Sequence, residues 1–123
     1  MTFKTMACLT ALAATVLGVR FIVAGASVLA QWNVAPTDGA LVVCRRIGAL
    51  YLGLALLFFL GRSAAPSELR SGVCLGVGAA SAILAGLGVF ELRAGRVGSG
   101  ILVPVVAETL LAAGFALAWR RGL

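Results

Sequence analysis

Four long apolar runs, separated by short polar segments, make up most of this sequence. They cover residues 6–30, 40–60, 69–91 and 100–119. Each run is close to the roughly 20 residues that a helix needs to cross the hydrocarbon core of a bilayer. The helices of a soluble core would be shorter or would show a polar stripe. We therefore predict an all-α polytopic membrane protein, in which residues 1–123 form a single four-transmembrane-helix bundle.

The composition favours the same class of protein. Hydrophobic residues make up 62% of the chain and charged residues 11%, whereas a soluble domain is nearer a quarter charged. The net charge of +6 comes from basic residues that stand singly or in pairs at the ends of the apolar runs. No basic stretch is interleaved with aromatic residues, so we expect no nucleic-acid binding. These charges are instead expected to orient the helices in the lipid bilayer.

The polar segments between the runs carry residues that begin and end helices. Thr37 or Asp38 is expected to cap the second helix, because its side-chain oxygen can accept a hydrogen bond from the first backbone N–H groups. Ser67 is the predicted N-cap of the third helix, with Glu68 facing the positive end of the helix dipole. Gly95 marks the turn before the fourth helix.

The distribution of lysine and arginine predicts the orientation. With the N-terminus in the cytoplasm, the inner side would hold Lys4, Arg62, Arg70, Arg120 and Arg121, and the outer side Arg93 and Arg96. Because cytoplasmic loops carry an excess of basic residues, we expect both termini to lie in the cytoplasm. The predicted location is a bacterial cytoplasmic (inner) membrane.

The first run also has features of a secretory signal. Lys4 precedes an apolar stretch, and the small residue Ala30 stands before Gln31. Arg20 lies inside the stretch, however, and the run is long enough to cross a membrane. We therefore expect it to be retained as a transmembrane helix, with cleavage after Ala30 as the alternative.

The residues that most often carry chemistry are scarce. The chain has no histidine and three cysteines, at positions 8, 44 and 74, with no C-x-x-C spacing. The absence of histidine excludes most haem and zinc sites and any catalytic triad that uses this residue. The cysteines are expected to be buried free thiols that pack as small hydrophobic residues. We predict no cofactor, no metal site and no catalytic residue.

Four polar residues are predicted to form an intramembrane polar cluster: Arg20, Ser27, Arg46 and Glu108. Arg20 and Ser27 share one stripe of the first helix, and Glu108 lies near the middle of the fourth run. An ion pair between Arg20 and Glu108 would avoid the cost of exposing each charge to lipid. One alternative is a polar cavity, which would prefer an anionic lipid or a quinone-like molecule because Arg20, Arg45 and Arg46 outnumber Glu108. A proton relay through Glu108 is the other.

The third run contains two ridges of small residues, which are Gly72, Gly76 and Ala80, and Gly78, Ala82 and Gly86. Small residues spaced four apart let helix backbones touch within a membrane. We expect these ridges to serve packing within the chain, with dimerisation as the alternative.

From Arg46 to residue 119 the chain resembles the small DoxX-like bacterial membrane proteins. The resemblance is carried by Arg46-x-Gly48-x-x-Tyr51-Leu52-Gly53-Leu54-Ala55, by the turn at Gly95, and by Val105-Val106-Ala107-Glu108-Thr109-Leu110. It implies a four-helix bundle of the bacterial inner membrane, of a family in which some members are small subunits of redox enzymes. It transfers no catalytic residue to this sequence.

These observations predict a non-catalytic integral membrane protein that acts as an accessory or structural subunit. Its expected partners are the lipid bilayer and a membrane protein or further copies of itself. The first alternative is the binding or transport of an anionic lipid or quinone-like ligand at the intramembrane polar cluster. A membrane enzyme is the third hypothesis, and a cysteine and a carboxylate converging in one pocket would favour it.

Overall fold

The computed structural model describes residues 2–122, and every regular element among them is helical. The elements are α1 (Phe3–Val23), α2 (Gly25–Gln31), α3 (Asp38–Gly61), α4 (Glu68–Arg93), a 3-10 turn (Ser99–Ile101) and α5 (Leu102–Arg121). Four helical segments are long and apolar enough to cross a membrane: α1, α3, α4 and the 3-10 turn together with α5. The predicted all-α bundle with four candidate spans is therefore confirmed.

Side-chain caps fix where the long helices begin. The hydroxyl of Thr37 accepts a hydrogen bond from the N–H of Ala40 at 3.2 Å, and that of Ser67 accepts one from the N–H of Arg70 at 3.1 Å. Each cap satisfies a backbone donor that has no partner within its helix. The caps predicted for the second and third spans are confirmed, with Thr37 rather than Asp38 at the first position.

The first span departs from the prediction of one helix over residues 6–30. Ala24 has φ −132° and ψ 39°, which is not helical, and it separates α1 from the short helix α2. A continuous helix of that length would measure about 37 Å at 1.5 Å per residue, which is longer than the hydrocarbon core of roughly 30 Å. After the break, α2 buries Val28 and Leu29 against a cluster that includes Cys44 of α3.

Helices α1 and α3 form the first antiparallel hairpin. Their backbones approach closely at Gly18 and Gly48, where a Cβ added to Gly48 would lie 2.7 Å from the carbonyl oxygen of Gly18. Only glycine permits this distance, so the crossing point of the two helices is fixed by these residues. Next to it, the rings of Phe21 and Tyr51 stack at 5.7 Å with an interplanar angle of 3°.

Helices α4 and α5 form the second hairpin. Gly78 faces Phe115, and Gly88 faces Val105, whose Cγ2 would lie 2.5 Å from an added Cβ. Of the predicted ridge Gly78, Ala82 and Gly86, only Gly78 therefore packs within the chain, because Ala82 is exposed and an added Cβ on Gly86 would meet nothing within 4 Å. The other predicted ridge does not pack within the chain, because Gly72 and Gly76 have no side chain or neighbouring backbone within 4 Å of an added Cβ.

The two hairpins meet at both ends of the bundle. At the end of the bundle where α1 begins and α5 ends, Met6 of α1 packs against Gly114 of α5. At the same end, the ring centroids of Phe58 of α3 and Phe115 of α5 lie 5.6 Å apart. At the opposite end, the N–H of Gly98 donates to the carbonyl of Trp32 at 2.8 Å. This second junction, together with the contact of Gly100 on Gln31, is called the distal junction below.

Candidate intramembrane cavity

A half-open cavity of about 240 Å³ lies beside the second hairpin, towards the distal junction. It is lined by residues of α4, the following turn, α5 and the segment after α2: Trp32, Leu84, Leu87, Gly88, Glu91, Val97, Ile101, Pro104, Val105 and Glu108. The walls are aliphatic apart from the indole and two carboxylates, and no basic residue lines them. We call this space the Glu108 cavity.

Glu108 reaches the cavity from α5, six residues after that helix begins. Its side chain is half-buried on α5, and within residues 2–122 it makes no hydrogen bond and no ion pair. The neighbouring hydroxyl of Thr109 donates instead to the carbonyl of Val105, at 2.8 Å. A carboxylate at this depth without a partner is costly in its charged form, so its charge must be neutralised by a proton or by a group from outside the chain.

Glu91, the second carboxylate of the cavity, already has a partner. It forms an ion pair with Arg96, the only ion pair found within residues 2–122. The hydrogen bond that Arg96 donates to the carboxylate of Glu91 raises the pKa of the Arg96 guanidinium, which lies in the turn outside the spans, above its ordinary value. The guanidinium also lies 5.2 Å from the centre of the Phe90 ring. Glu91 therefore adds little net charge to the cavity.

The expected ion pair between Arg20 and Glu108 is not formed in the structure. Arg20 lies in the last turn of α1, where it donates a long hydrogen bond of 3.4 Å to Oε1 of Gln31. Because the helix breaks at Ala24, Arg20 is near the end of its span rather than in the middle. A cation in the last turn is also favoured by the helix dipole.

The other members of the predicted cluster lie outside the Glu108 cavity as well. Ser27 is exposed on α2, and Arg46 is exposed on α3 beside the exposed Arg45. Of the four predicted residues, only Glu108 lines the cavity. Sequence reasoning missed Trp32 and Glu91 as cavity residues. A tryptophan at the end of an apolar run, such as Trp32, indicates a membrane interface rather than a cavity. Glu91 reaches the same space only because α4 and α5 approach each other closely.

The cysteines are free, as expected, but they are not all buried. Cys44 and Cys74 are buried, whereas Cys8 is exposed on α1, so its thiol faces the surroundings of the bundle. No three histidine, cysteine, aspartate or glutamate side chains within residues 2–122 lie close enough together to hold a metal ion. None of the three cysteines lines the Glu108 cavity.

The fold defines the class of the molecule as an α-helical protein with four apolar helices able to cross a membrane, which fits a multi-pass membrane protein. Comparisons with protein-family models, with curated proteins and with solved structures found no match to this chain. The DoxX-like resemblance therefore stays a prediction from the sequence.

Proposed function

We propose that this protein is a non-catalytic accessory or structural subunit of a bacterial inner membrane, with both termini in the cytoplasm. The observation that carries the proposal is an uncovered face of α3, formed by Arg46, Ala49 and Gly53. All three residues are exposed, and an added Cβ on Gly53 would meet nothing within 4 Å. We call this surface the α3 face.

The α3 face is poorly suited to lipid alone. Arg46 lies about 12 Å along α3 from its first residue, at 1.5 Å per residue, and an arginine facing hydrocarbon costs about 2.5–3.5 kcal/mol at the helix centre. Snorkelling towards the head groups reduces that cost. Ala49 and Gly53 allow another helix to approach closely on the same side. A partner helix with an acceptor near Arg46 would satisfy the charge and cover the small residues.

The experiment is purification of the full chain from its native membrane in a mild detergent, followed by mass spectrometry of the intact complexes and their proteins. The wild type is expected to retain a partner protein or further copies of itself. Gly53→Leu should lose them, because the added side chain blocks the α3 face. Gly39→Leu is the matched control, since Gly39 faces open space in the first turn of α3, about two turns before the α3 face begins. A wild type that runs as a bare monomer, or equal behaviour of the two variants, would contradict the proposal.

A second candidate function is ligand binding, and the Glu108 cavity is the observation that favours it. The sequence-based alternative was an anionic lipid or a quinone-like molecule, on the ground that arginines outnumber Glu108. The arginines do not line this cavity, so that charge argument does not apply to it. Mass spectrometry of lipids and small molecules in the same preparation tests whether an anion or a quinone nevertheless co-purifies.

A further inference from the structure

We propose that the Glu108 cavity binds a small lipophilic organic monocation, with the carboxylate of Glu108 as its counter-ion and Trp32 as an aromatic contact. This inference rests on the second candidate function, ligand binding at the Glu108 cavity, and does not depend on the α3 face or on the accessory role. The ligand proposed here is a cation, whereas the excess of arginines over Glu108 in the sequence favoured an anion.

The size of the cavity sets the size of the ligand. An apolar cavity of about 150 Å³ holds a benzene molecule, and the Glu108 cavity measures about 240 Å³. It therefore has room for one aromatic ring and a compact charged group, or about ten non-hydrogen atoms on that scale. Leu84, Leu87 and Val105 supply aliphatic walls for the ring.

The charges around the cavity select a cation. Glu91 is paired with Arg96 at the rim, which leaves Glu108 as the carboxylate without a partner. The two arginines that the sequence grouped with Glu108 are engaged or directed elsewhere: Arg20 donates to Gln31, and Arg46 is exposed on α3. A monovalent cation would supply the missing partner in a medium where an unpaired charge is expensive.

Trp32 gives the site a second preference for a cation. Tryptophan has the most favourable ring for cation–π contact, especially where water is excluded. Trp32 is half-buried, and its ring lies 6.0 Å from that of Phe21 in an edge-to-face arrangement. Its backbone carbonyl accepts a hydrogen bond from the N–H of Gly98 at the distal junction. Trp32 therefore contacts both hairpins, through its ring on one side and its backbone on the other.

The test uses benzyltrimethylammonium as the probe and neopentylbenzene as its neutral isostere. Binding to the purified full chain in nanodiscs is measured by equilibrium dialysis, and the uptake by protein-free nanodiscs of the same lipid is subtracted. The wild type is expected to bind the cation, and Glu108→Gln should weaken that binding by about tenfold or more, which corresponds to about 1.4 kcal/mol. The neutral isostere should bind both proteins alike, which also shows that the variant keeps its cavity.

Two matched variants separate the roles of the lining residues. Glu91→Gln removes a carboxylate that is already paired, so the affinity for the cation should change by less than about threefold. Trp32→Leu should weaken cation binding several-fold and leave the neutral isostere within about twofold, since the cation–π term is lost. Equal cation binding by wild type and Glu108→Gln, or tighter binding of phenylacetate than of the cation, would overturn the proposal. Failure of the wild type to bind the cation would do the same.

Discussion

Gly48 and Gly53 lie on the same helix, but only Gly48 touches the backbone of another span. Gly48→Ala would place a Cβ 2.7 Å from the carbonyl oxygen of Gly18, so α1 and α3 must move apart. We expect a loss of about 1–3 kcal/mol in the free energy of unfolding, as for other overpacked contacts. The measurement is reversible unfolding in detergent.

Gly53→Ala is the control for this prediction. An added methyl group there meets nothing within 4 Å, and alanine forms helices better than glycine by about 1 kcal/mol. The variant is expected to be as stable as the wild type or slightly more so. Equal destabilisation by the two substitutions would show that the helices do not cross at Gly48.

Arg20 and Glu108 are expected to act independently. Arg20 donates to Gln31, and Glu108 has no partner within the described chain. In a double-mutant cycle with Arg20→Leu and Glu108→Leu, the coupling energy should stay within about 0.5 kcal/mol of zero. Glu108→Leu alone should leave stability unchanged or raise it, because it removes a half-buried carboxylate that nothing pairs. A coupling energy above about 1 kcal/mol would contradict this prediction, because it would show that Arg20 and Glu108 form an ion pair.

The sequence correctly predicted the residues that cap helices, but not the position of Arg20 or the exposure of Cys8. Thr37 and Ser67 were found because a cap depends on a few adjacent residues. The position of Arg20 was missed because it depends on where the first helix ends. The exposed Cys8 was missed because a helix with lipid around it gives no polar stripe to mark its outer face.

Among the elements, α2 and the turn before α5 hold the two hairpins together at the distal junction. An added Cβ on Gly100 would lie 1.9 Å from the carbonyl oxygen of Gln31. Gly100→Ala should therefore displace α2, and we expect a loss of about 3 kcal/mol in stability, at the upper end for overpacking. Hydrogen exchange should accelerate in α2 and stay unchanged in the half of α1 that begins at Phe3. Gly72→Ala is the control, since an added Cβ there meets nothing within 4 Å. Exchange in α2 of the Gly100 variant that is as slow as in the wild type would contradict this prediction.

The bounds of three spans were predicted to within two residues. The predicted runs 40–60, 69–91 and 100–119 correspond to α3, α4 and α5, because charged and cap residues end each apolar run. Neither a proline nor a polar residue stands next to Ala24 to indicate in the sequence that the helix breaks there. The break follows from the packing of Gly25, where an added Cβ would lie 3.2 Å from the Cβ of Cys44, and such a contact is not visible in one span alone.

For the whole molecule, the placement of polar residues predicts that the isolated protein holds no metal and no haem. There is no histidine, and within residues 2–122 no three potential ligand side chains converge. Elemental analysis and a visible spectrum of the purified chain should show neither a stoichiometric metal nor a Soret band. Stoichiometric zinc or iron would favour a membrane enzyme instead.

The Glu108 cavity shows what the sequence could not predict at this scale. Its walls come from the segment after α2, from α4, from the following turn and from α5. Of the residues that line it, the sequence singled out only Glu108, because a carboxylate within an apolar run is rare. Its neighbours could not be named, since they depend on how the second hairpin and Trp32 meet in space.

Four membrane crossings with both termini on one side are the central claim, and reporter fusions test it most directly. Fusions after Asp38, Ser63, Gly95 and Gly122 place a reporter at the start of α3, in each of the next two connections and at the end of α5. The reporters should lie outside, inside, outside and inside the cytoplasm in that order, as the basic residues at the helix ends also favour. A reporter at Gly122 on the periplasmic side, or two successive fusions on the same side, would contradict the four-span topology proposed here.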